Sequence, residues 1–357
     1  MPIILESIFK KFKKDYFWFI GFCFIFVVGL ISIFTYVIAP DSSQYANQMH
    51  LSIHSRSPGF KLLMLIQPGE KKVSQSLFNK IFFGNKSPNL ETPISSYQLK
   101  GQKLIYKSYG SNQYELIEET IDLVKFPMTH IKEKKFYLGT DKFGRDLLSR
   151  VLVGARVSFF IGFIAVLISL ILGLFFGSLA GYYGGLVDSF IMWLINVTWS
   201  IPTILLIIAI TLALGKGFWQ VFIAVGLTMW VEVARVVRGE VMSVKEQQYI
   251  IAAKVLGYSD FRIILRHIIP NIISPIIVIS AANFAAAILI ESGLSFLGIG
   301  AQPPMSSWGA MIKNHYNDII LGKPYLAIIP GTCIMFLVMS FMVVGNSLRD
   351  ALDVKTK

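Results

Sequence analysis

Few residues of this chain have the types and spacing that enzymatic chemistry requires. The sequence contains no Gly-x-x-x-x-Gly-Lys-Ser/Thr phosphate loop, no His-Glu-x-x-His zinc motif and no Gly-x-Ser-x-Gly nucleophile motif. His50 and His54 are spaced for a metal on a helix, but two histidines in a loop are usually solvated. We therefore predict no catalytic residue, no metal site and no cofactor bound by this chain.

The segment 249–271 has the composition of a mechanical connector. Gly257 is a natural helix terminator, and Ser259 can cap a helix that begins near Asp260, so the segment predicts two short helices joined by an elbow. Pro270 then bends the entry into the next apolar span. Small residues would let such a helix enter a groove on a soluble partner, and a rigid elbow would pass the partner's movement to the adjoining spans.

The elements that must position this connector are membrane helices. Hydrophobic residues make up 54% of the chain and charged residues 15%, and the hydrophobic residues fall in long uninterrupted blocks. A bilayer core needs about 20 apolar helical residues, a length that several blocks reach. The formal charge of +12 does not indicate nucleic-acid binding, because the basic residues flank the apolar spans or lie in one extramembrane segment. We predict an integral membrane protein that contacts lipid and no nucleic acid.

Six apolar spans are predicted, with both termini in the cytoplasm. Lysines ahead of the first span and basic residues between the fourth and fifth spans mark cytoplasmic segments under the positive-inside rule. The first span is too long for a cleaved signal and is interpreted as a retained anchor helix. Pro202 is expected to kink the third span. The predicted spans are 16–39, 157–187, 190–214, 218–233, 272–290 and 325–344.

A polar stretch between the first and second spans is expected outside the cytoplasm. Short alternating runs at 102–106 and 114–118, separated by turn-forming residues, predict some β-structure there. The expected organisation is a cytoplasmic N-terminus over 1–15, the first helix over 16–39, an extracytoplasmic segment over 40–150, a transmembrane core over 151–346 that includes a connecting loop over 235–270, and a cytoplasmic C-terminus over 347–357.

Small residues in the second span predict close helix packing. Gly173, Gly177 and Gly181 recur at every fourth position, a spacing that lets two helices meet backbone to backbone in lipid. We interpret them as helix-packing residues.

Several charged residues are also interpreted as structural. Glu291 is expected at the membrane interface, at the outer end of the fifth span. Arg145 and Asp146 are expected to form a surface pair, and Arg235 to pair with Glu232 one helical turn away.

The connector resembles the EAA loop of ABC importer permeases, in which Glu-Ala-Ala, three residues, Gly and a later Ile-x-Leu-Pro dock on the ATPase. Four residues match in register, whereas Ile251 replaces the glutamate of the motif, His267 its isoleucine and Ile269 its leucine; the matching residues are Ala252, Ala253, Gly257 and Pro270. The resemblance implies an ATPase-coupling site formed by Tyr249, Ala252, Ala253, Leu256, Gly257, Ile269 and Pro270.

Further motifs are similar to those of the oligopeptide, dipeptide and nickel permeases, and within them to the second, C-type subunit. The likeness covers about residues 138–350. The motifs are Leu138-Gly-Thr-Asp141-x-x-Gly144-Arg145-Asp146, Gly181-Tyr-Tyr-Gly184-Gly185-x-Val-Asp188, Arg266-His267-x-x-Pro270-Asn271 and Leu294-Ser-Phe-Leu-Gly298-x-Gly300.

This resemblance implies an all-α membrane protein with six transmembrane helices of the type I ABC importer permease fold, and an extracytoplasmic insertion containing some β-structure. The implied partners are a homologous second permease, two ATPase subunits that bind ATP and Mg, and an extracytoplasmic binding protein, at a bacterial cytoplasmic (inner) membrane. Oligopeptides or dipeptides are the expected cargo, with nickel or another small solute as the alternative. An ion-coupled secondary transporter would need charges near the bilayer midplane, which the spans nearly lack, and a membrane scaffold without transport activity is a third hypothesis.

Overall fold

The computed structural model describes residues 16–68, 76–85, 89–110, 118–124, 126, 128–215 and 217–353. The chain divides into two compact units. The helical unit takes its described residues from 1–28, 158–302 and 332–357, and the sheet unit takes them from 29–157 and 303–331.

Five described helices are long and apolar enough to cross a membrane. These are α1 (Tyr16–Ile38), α3 (Leu147–Tyr183), α6 (Phe218–Lys245), α9 (Ile273–Leu297) and α11 (Tyr325–Asp353). Helix formation satisfies the backbone hydrogen-bonding groups internally, which lipid cannot do. Helix α3 begins ten residues before the predicted second span, and α6 continues twelve residues beyond the predicted fourth span, because polar residues extend both helices past their apolar cores.

The third predicted span is a bent pair of helices. Helix α4 (Gly185–Ser200) and helix α5 (Thr203–Leu214) meet at 93°. The expected kink at Pro202 is thus a complete break, since Ile201 adopts an extended conformation with φ −98° and ψ 129°. A residue before proline is pushed out of the helical region, so α4 ends there and α5 starts afresh. With this pair counted as one span, the prediction of six apolar helices is confirmed.

The sheet unit contains a five-stranded antiparallel sheet with strand order β4-β3-β2-β1-β5. One face buries a core around Leu65, Ile94, Leu104 and Tyr106. The β-structure predicted at 102–106 is confirmed, whereas residues 114–117 of the second run lie outside the described residues. The strands are β1 (Phe60–Gln67), β2 (Leu90–Lys100), β3 (Lys103–Ser108), β4 (Glu118–Asp122) and β5 (His130–Phe136), and the unit also contains helices α2 (Leu77–Phe83) and α10 (Trp308–Ile320).

In the sheet unit, a loop with buried aspartate side chains leads into the first turn of α3. Asp141 pairs with Arg145, with 2.6 Å between its Oδ2 and the arginine Nε, and both side chains are buried. Asp146 accepts a hydrogen bond of 2.9 Å from the Ser149 amide and caps the first turn of α3. Burial raises the pKa of the Asp146 carboxyl, an effect that these hydrogen bonds oppose. The expected surface pair of Arg145 with Asp146 is therefore wrong, because neighbouring side chains here point to different partners.

In the helical unit, the glycines of α3 lie against one edge of α6. A Cβ atom added at Gly173 would lie 2.4 Å from the Val233 Cβ, and one added at Gly177 would lie 2.5 Å from the Ala234 carbonyl oxygen. One turn later, a Cβ at Gly181 would also be 2.8 Å from α6 backbone. The two helices therefore reach this separation only where α3 lacks side chains.

Glu291 occupies the interior of the helical unit. Its side chain is fully buried, because α9 continues for six residues beyond it and turns it toward α3. Its Oε1 accepts a hydrogen bond of 2.7 Å from the Ser295 hydroxyl, and the Ser158 hydroxyl lies 3.4 Å from its Oε2. Its burial among helices is not evident from the sequence, whereas its expected position at the outer end of the fifth span stays a prediction. A carboxyl buried at this depth needs such partners.

Arg235 contacts an aromatic ring. Its guanidinium carbon lies 3.7 Å from the centroid of the Trp199 ring, and its Nη2 is 3.5 Å from the Asn196 amide oxygen. Among the described residues no ion pair joins it to Glu232, which is exposed. The expected pair with Glu232 is wrong, because α4 brings an aromatic surface that attracts the cation more closely.

The contact of the α3 glycines with α6 predicts that glycine-to-alanine substitutions at Gly177 and Gly239 have different effects on stability. Gly177→Ala should lower the free energy of unfolding by about 1–3 kcal/mol, because the new methyl group meets α6 backbone. Gly239→Ala is the matched control, since a Cβ there meets no atom within 4 Å. The control should be neutral or stabilise by up to about 1 kcal/mol. Thermal unfolding of the purified protein in detergent measures both, and equal shifts would contradict the packing.

Candidate functional site

The elbow is the segment 248–271, between α6 and α9. It contains α7 (Gln248–Val255), α8 (Asp260–Ile263), a π-helical turn over Ile264–Ile268 and a 3-10 turn over Ile269–Asn271. The sequence predicted two short helices joined by a bend, and the structure has this form. The continuous series of turns links α8 to α9 without an intervening coil.

Gly257 forms the bend itself. Its φ of +75° lies in the left-handed region that side chains disfavour. Its amide donates a hydrogen bond of 3.0 Å to the Lys254 carbonyl, and the Tyr258 amide donates one of 3.1 Å to the Ala253 carbonyl. This pair of bonds is a Schellman motif, which satisfies the last carbonyls of α7. Ser259 stands at the N-cap of α8, but its hydroxyl makes no capping hydrogen bond.

The inner face of the elbow is part of the core of the helical unit. Isoleucines of the elbow pack with valines of α6 and with the start of α9, so the connector cannot move independently of these helices. The buried members are Ile250, Ala253, Ile263, Ile264 and Ile268 of the elbow, Val233, Val237 and Val241 of α6, Tyr182 of α3, and Ile272 and Ile276 beside and within α9.

A polar contact joins the elbow to the end of α3. The Tyr182 hydroxyl donates a hydrogen bond of 2.6 Å to Asp260 Oδ1. The ammonium group of Lys254 lies 4.7 Å from the centroid of the same tyrosine ring, where a cation is attracted to the π-electrons. Both short helices of the elbow therefore contact one side chain of α3.

The outer face of the elbow exposes large apolar side chains. Val255 is 83% exposed, Leu256 72% and Phe261 73%. They lie on both sides of the Gly257 bend. A cluster of this kind on a rigid element is typical of a surface that another protein covers. Basic side chains at Lys254, Arg262 and Arg266 are exposed on the same segment.

The residues predicted from the sequence do not all share this outer face. Ala253 is only 5% exposed and points into the core of the helical unit, while Ile269 is half-buried. The exposed members are Tyr249, Ala252, Leu256, Gly257 and Pro270. Val255 and Phe261 were missed. The 3.6-residue periodicity of the helix could have indicated Val255. Once Ile250 and Ala253 are assigned to the core, Ala252, Val255 and Leu256 lie together on the opposite face of α7.

The described residues offer no obvious place for a metal ion, since no three His, Cys, Asp or Glu side chains gather among them. The exposed groups of the elbow are apolar and cationic, which suits contact with another protein.

Comparison of the sequence with known proteins places this chain in a family. Residues 173–357 match the family described as binding-protein-dependent transport system inner membrane component. The chain is 39% identical over 221 residues to the dipeptide transport system permease protein of Bacillus subtilis, a match that covers 62% of this chain and 69% of that protein.

Two further relatives are similar over nearly the same length. The glutathione transport system permease protein of Pectobacterium atrosepticum is 41% identical over 62% of this chain and 73% of its own length. The oligopeptide transport system permease protein of Bacillus subtilis is 37% identical over 63% of this chain and 73% of its own length. The chain therefore belongs to the binding-protein-dependent transport system inner membrane component family, and it is a multi-pass permease of an ABC importer rather than a catalytic subunit.

Proposed function

We propose that this chain moves short peptides inward, driven by ATP hydrolysis in separate ATPase subunits that cover the outer face of its elbow. The observation that carries this proposal is the two-sided elbow: its inner face is built into the helical unit, while Val255, Leu256 and Phe261 are left exposed. The peptide cargo is supported by the names of the relatives, which are permeases for dipeptides, oligopeptides and glutathione.

The proposed assembly contains a homologous second permease, two ATPase subunits that bind ATP and Mg, and an extracytoplasmic binding protein, in the inner membrane of a bacterium. The exposed basic residues Lys254, Arg262 and Arg266 support a cytoplasmic elbow, because positive charge is enriched in short cytoplasmic loops. With six spans, both termini would then also be cytoplasmic, and the sheet unit's strands would lie outside.

Within the elbow, the contact residues would be Tyr249, Ala252, Leu256, Gly257 and Pro270, which are exposed. Ala253 and Ile269 would support this face from behind. Ile251, which stands where the EAA motif has glutamate, is 52% exposed. Its side chain would enlarge the apolar surface, so the contact with the ATPase relies on burial of apolar area in place of an acidic pair.

Movement would pass from the elbow to the spans as a rigid-body displacement. Closure of the ATPases pulls the elbow, and its isoleucine core moves α6 and α9 with it. The hydrogen bond from Tyr182 to Asp260 extends this displacement to α3. The pathway would thereby alternate between outward-open and inward-open states.

Cross-linking tests the outer face directly. In a Cys23→Ser, Cys333→Ser background, a photoactivatable maleimide on Leu256→Cys should capture an ATPase subunit from the assembled transporter. Ala253→Cys is the matched control, three residues away and buried in the permease core, and it should capture none. Capture from Ala253→Cys alone, or of no nucleotide-hydrolysing protein from Leu256→Cys, would contradict the assignment.

The bend predicts a defect in transport without a defect in membrane insertion. Gly257→Val should reduce uptake of a radiolabelled dipeptide several-fold, because a β-branched residue at positive φ is strained by roughly 1–2 kcal/mol and reshapes the elbow. Gly239→Val, at an open position on α6, should transport normally. Uptake by whole cells and the amount of permease in isolated membranes are measured together. Normal uptake in Gly257→Val, or radioactive nickel uptake without dipeptide uptake by the wild type, would refute the proposal.

The hydrogen bond from Tyr182 of α3 to Asp260 of the elbow gives a separate prediction. Tyr182→Phe removes the hydrogen bond to Asp260, worth about 1 kcal/mol, so amide hydrogen exchange in α8 should accelerate about five-fold. ATP hydrolysis per peptide transported should also rise, because the elbow would move partly without α3. Tyr183→Phe is the control, since the Tyr183 ring is half-exposed and contacts Tyr182 edge to face. Identical exchange in the two variants would show that this bond does not hold α8.

A further inference from the structure

Glu232 is an exposed carboxylate in the middle part of a membrane helix, α6. Among the described residues, no ion pair or hydrogen bond involves its side chain. An ionisable side chain within a membrane-spanning segment almost always faces water or a charged partner, and such residues often mark the route of a substrate. The position of Glu232 therefore indicates a role beyond helix packing.

The packing of α6 on α3 places Glu232 inside the apolar thickness of the bilayer. Its neighbour Val233 lies against Gly173 of α3, where an added Cβ would be 2.4 Å from the valine Cβ. No charged residue occurs in α3 from Val157 to Tyr183. At 1.5 Å per residue, Gly173 lies about 24 Å from the first and about 15 Å from the second of these residues. A lipid core is about 30 Å thick, so Glu232 lies at a depth where lipid offers no hydrogen-bonding partner.

Exposed positions that suit contact with acyl chains look different in this unit. The exposed stripe of α3 carries a large apolar side chain at every fourth residue. Its members are Phe163, Leu167, Ile171 and Phe175, which are 47% to 59% exposed. A carboxylate turned toward acyl chains would lose its hydration and gain no partner. Lipid is therefore an unfavourable neighbour for the face of α6 that carries Glu232.

The same face of α6 continues into a cavity. Val236 follows Glu232 by one helical turn and Glu240 follows by two, so the three residues lie on one side of the helix. Val236 and Glu240 line a cavity of about 570 Å³ together with Ser274 and Val278 of α9. A space of this volume holds many water molecules, since each occupies about 30 Å³ in the liquid. Glu232 therefore lies one turn from a space that water can enter.

A helix of the second permease is the other neighbour that this face could have. Glu240 also forms no ion pair among the described residues. A covering helix would therefore have to bring one cation to Glu232 and another to Glu240, two turns away, because a buried carboxylate without a partner is costly. Water hydrates both carboxylates without a matched set of cations, so the two unpaired charges favour an aqueous wall.

We infer that this turn of α6 is part of the wall of the peptide pathway, and that Glu232 selects cargo by charge. Its carboxylate attracts the terminal ammonium group or a basic side chain of a peptide and repels an acidic side chain. The inference rests on the proposed peptide transport and adds a residue that makes the permease prefer cationic to anionic peptides. A single carboxylate attracts its cargo weakly, which suits a position that the peptide must also leave.

The charge of a thiol reagent tests the potential around Glu232. The complete transporter is purified in lipid nanodiscs with Cys23→Ser, Cys333→Ser and Val236→Cys. Reaction of this chain with a cationic and an anionic methanethiosulfonate is followed by mass spectrometry, each rate relative to that of free cysteine. The cationic reagent should react faster. Glu232→Gln should lower the ratio of the two rates about five-fold, because a charge one helical turn away acts oppositely on the two reagents. Val233→Cys is the matched control, since its side chain is buried against α3 and should react with neither reagent.

Each contrary result would identify a different neighbour of this face. No reaction at Val236→Cys would show that a helix or lipid covers it. A faster reaction with the anionic reagent would show that a cation of the second permease neutralises Glu232. A ratio that Glu232→Gln leaves unchanged would show that the carboxylate does not act on this space. Any of the three overturns the inference.

Uptake by whole cells measures the consequence for cargo. Initial rates are determined for radiolabelled Ala-Lys and Ala-Glu, and their ratio is independent of the amount of permease. Glu232→Gln should lower the ratio of Ala-Lys to Ala-Glu uptake about three-fold, because the binding protein is the same and only the charge in the permease has changed. Glu246→Gln is the matched control, since it removes a carboxylate at the C-cap of α6, beyond the last helical residue, and should keep the wild-type ratio.

The uptake experiment separates this inference from the proposed function. Wild-type cells that take up neither dipeptide would refute peptide transport itself. Uptake of both dipeptides with the same ratio in the wild type and in Glu232→Gln would refute charge selection by Glu232 alone and leave peptide transport standing.

Discussion

The close approach of α3 to α6 is the contact on which the rest of the helical unit depends. In lipid no hydrophobic effect drives helices together, so their association depends on van der Waals packing at short distance. The glycines of α3 provide it by exposing backbone to α6, where Ala234 and the neighbouring valines fill the gap. Helix α6 leads directly into the elbow. The row of glycines on α3, which lets α6 approach closely, therefore sets the position of the elbow in the helical unit.

The elbow combines two demands that usually conflict. It must expose apolar surface to a partner and yet keep a fixed shape in its absence. The structure meets both demands by dividing the residues of α7 between two faces, with Ile250 and Ala253 in the core and Val255 and Leu256 outside. Rigidity then comes from packing and from the Schellman bonds at Gly257, while the outer face stays available.

Much of this fold follows from sequence alone, because hydrophobic length and loop charge are local properties. The six apolar segments, the β-structure and the bend at Gly257 were accessible in this way. Residues whose role depends on a distant helix were not. The burial of Glu291 does not follow from its place in an apolar run, because it depends on the orientation of α9 toward Ser158. The break at Pro202 was underestimated because proline alone does not set an angle.

The same limit applies to the elbow. A motif in register identifies which residues matter as a group, but Ala252 and Ala253 are adjacent and identical in the sequence. Only the packing of α7 on the isoleucine core shows that one faces outward and the other inward. Arg145 was misjudged for a similar reason. Its partner Asp141 is one loop turn away, and the buried carboxylate, which also accepts amide hydrogen bonds, draws the guanidinium inward.

Helix α6 connects these features because one row of its side chains serves two contacts. Val233, Val237 and Val241 meet the glycine row of α3 and also belong to the core around the elbow. Arg238 adds a bidentate pair to Asp188 in the first turn of α4, with 2.6 Å between its Nη2 and Oδ2. A displacement of the elbow would therefore move α3 and α4 together with α6. Packed interfaces of this kind shift between discrete arrangements more readily than they deform, so a movement applied at the end of α6 would displace the packed helices as one unit.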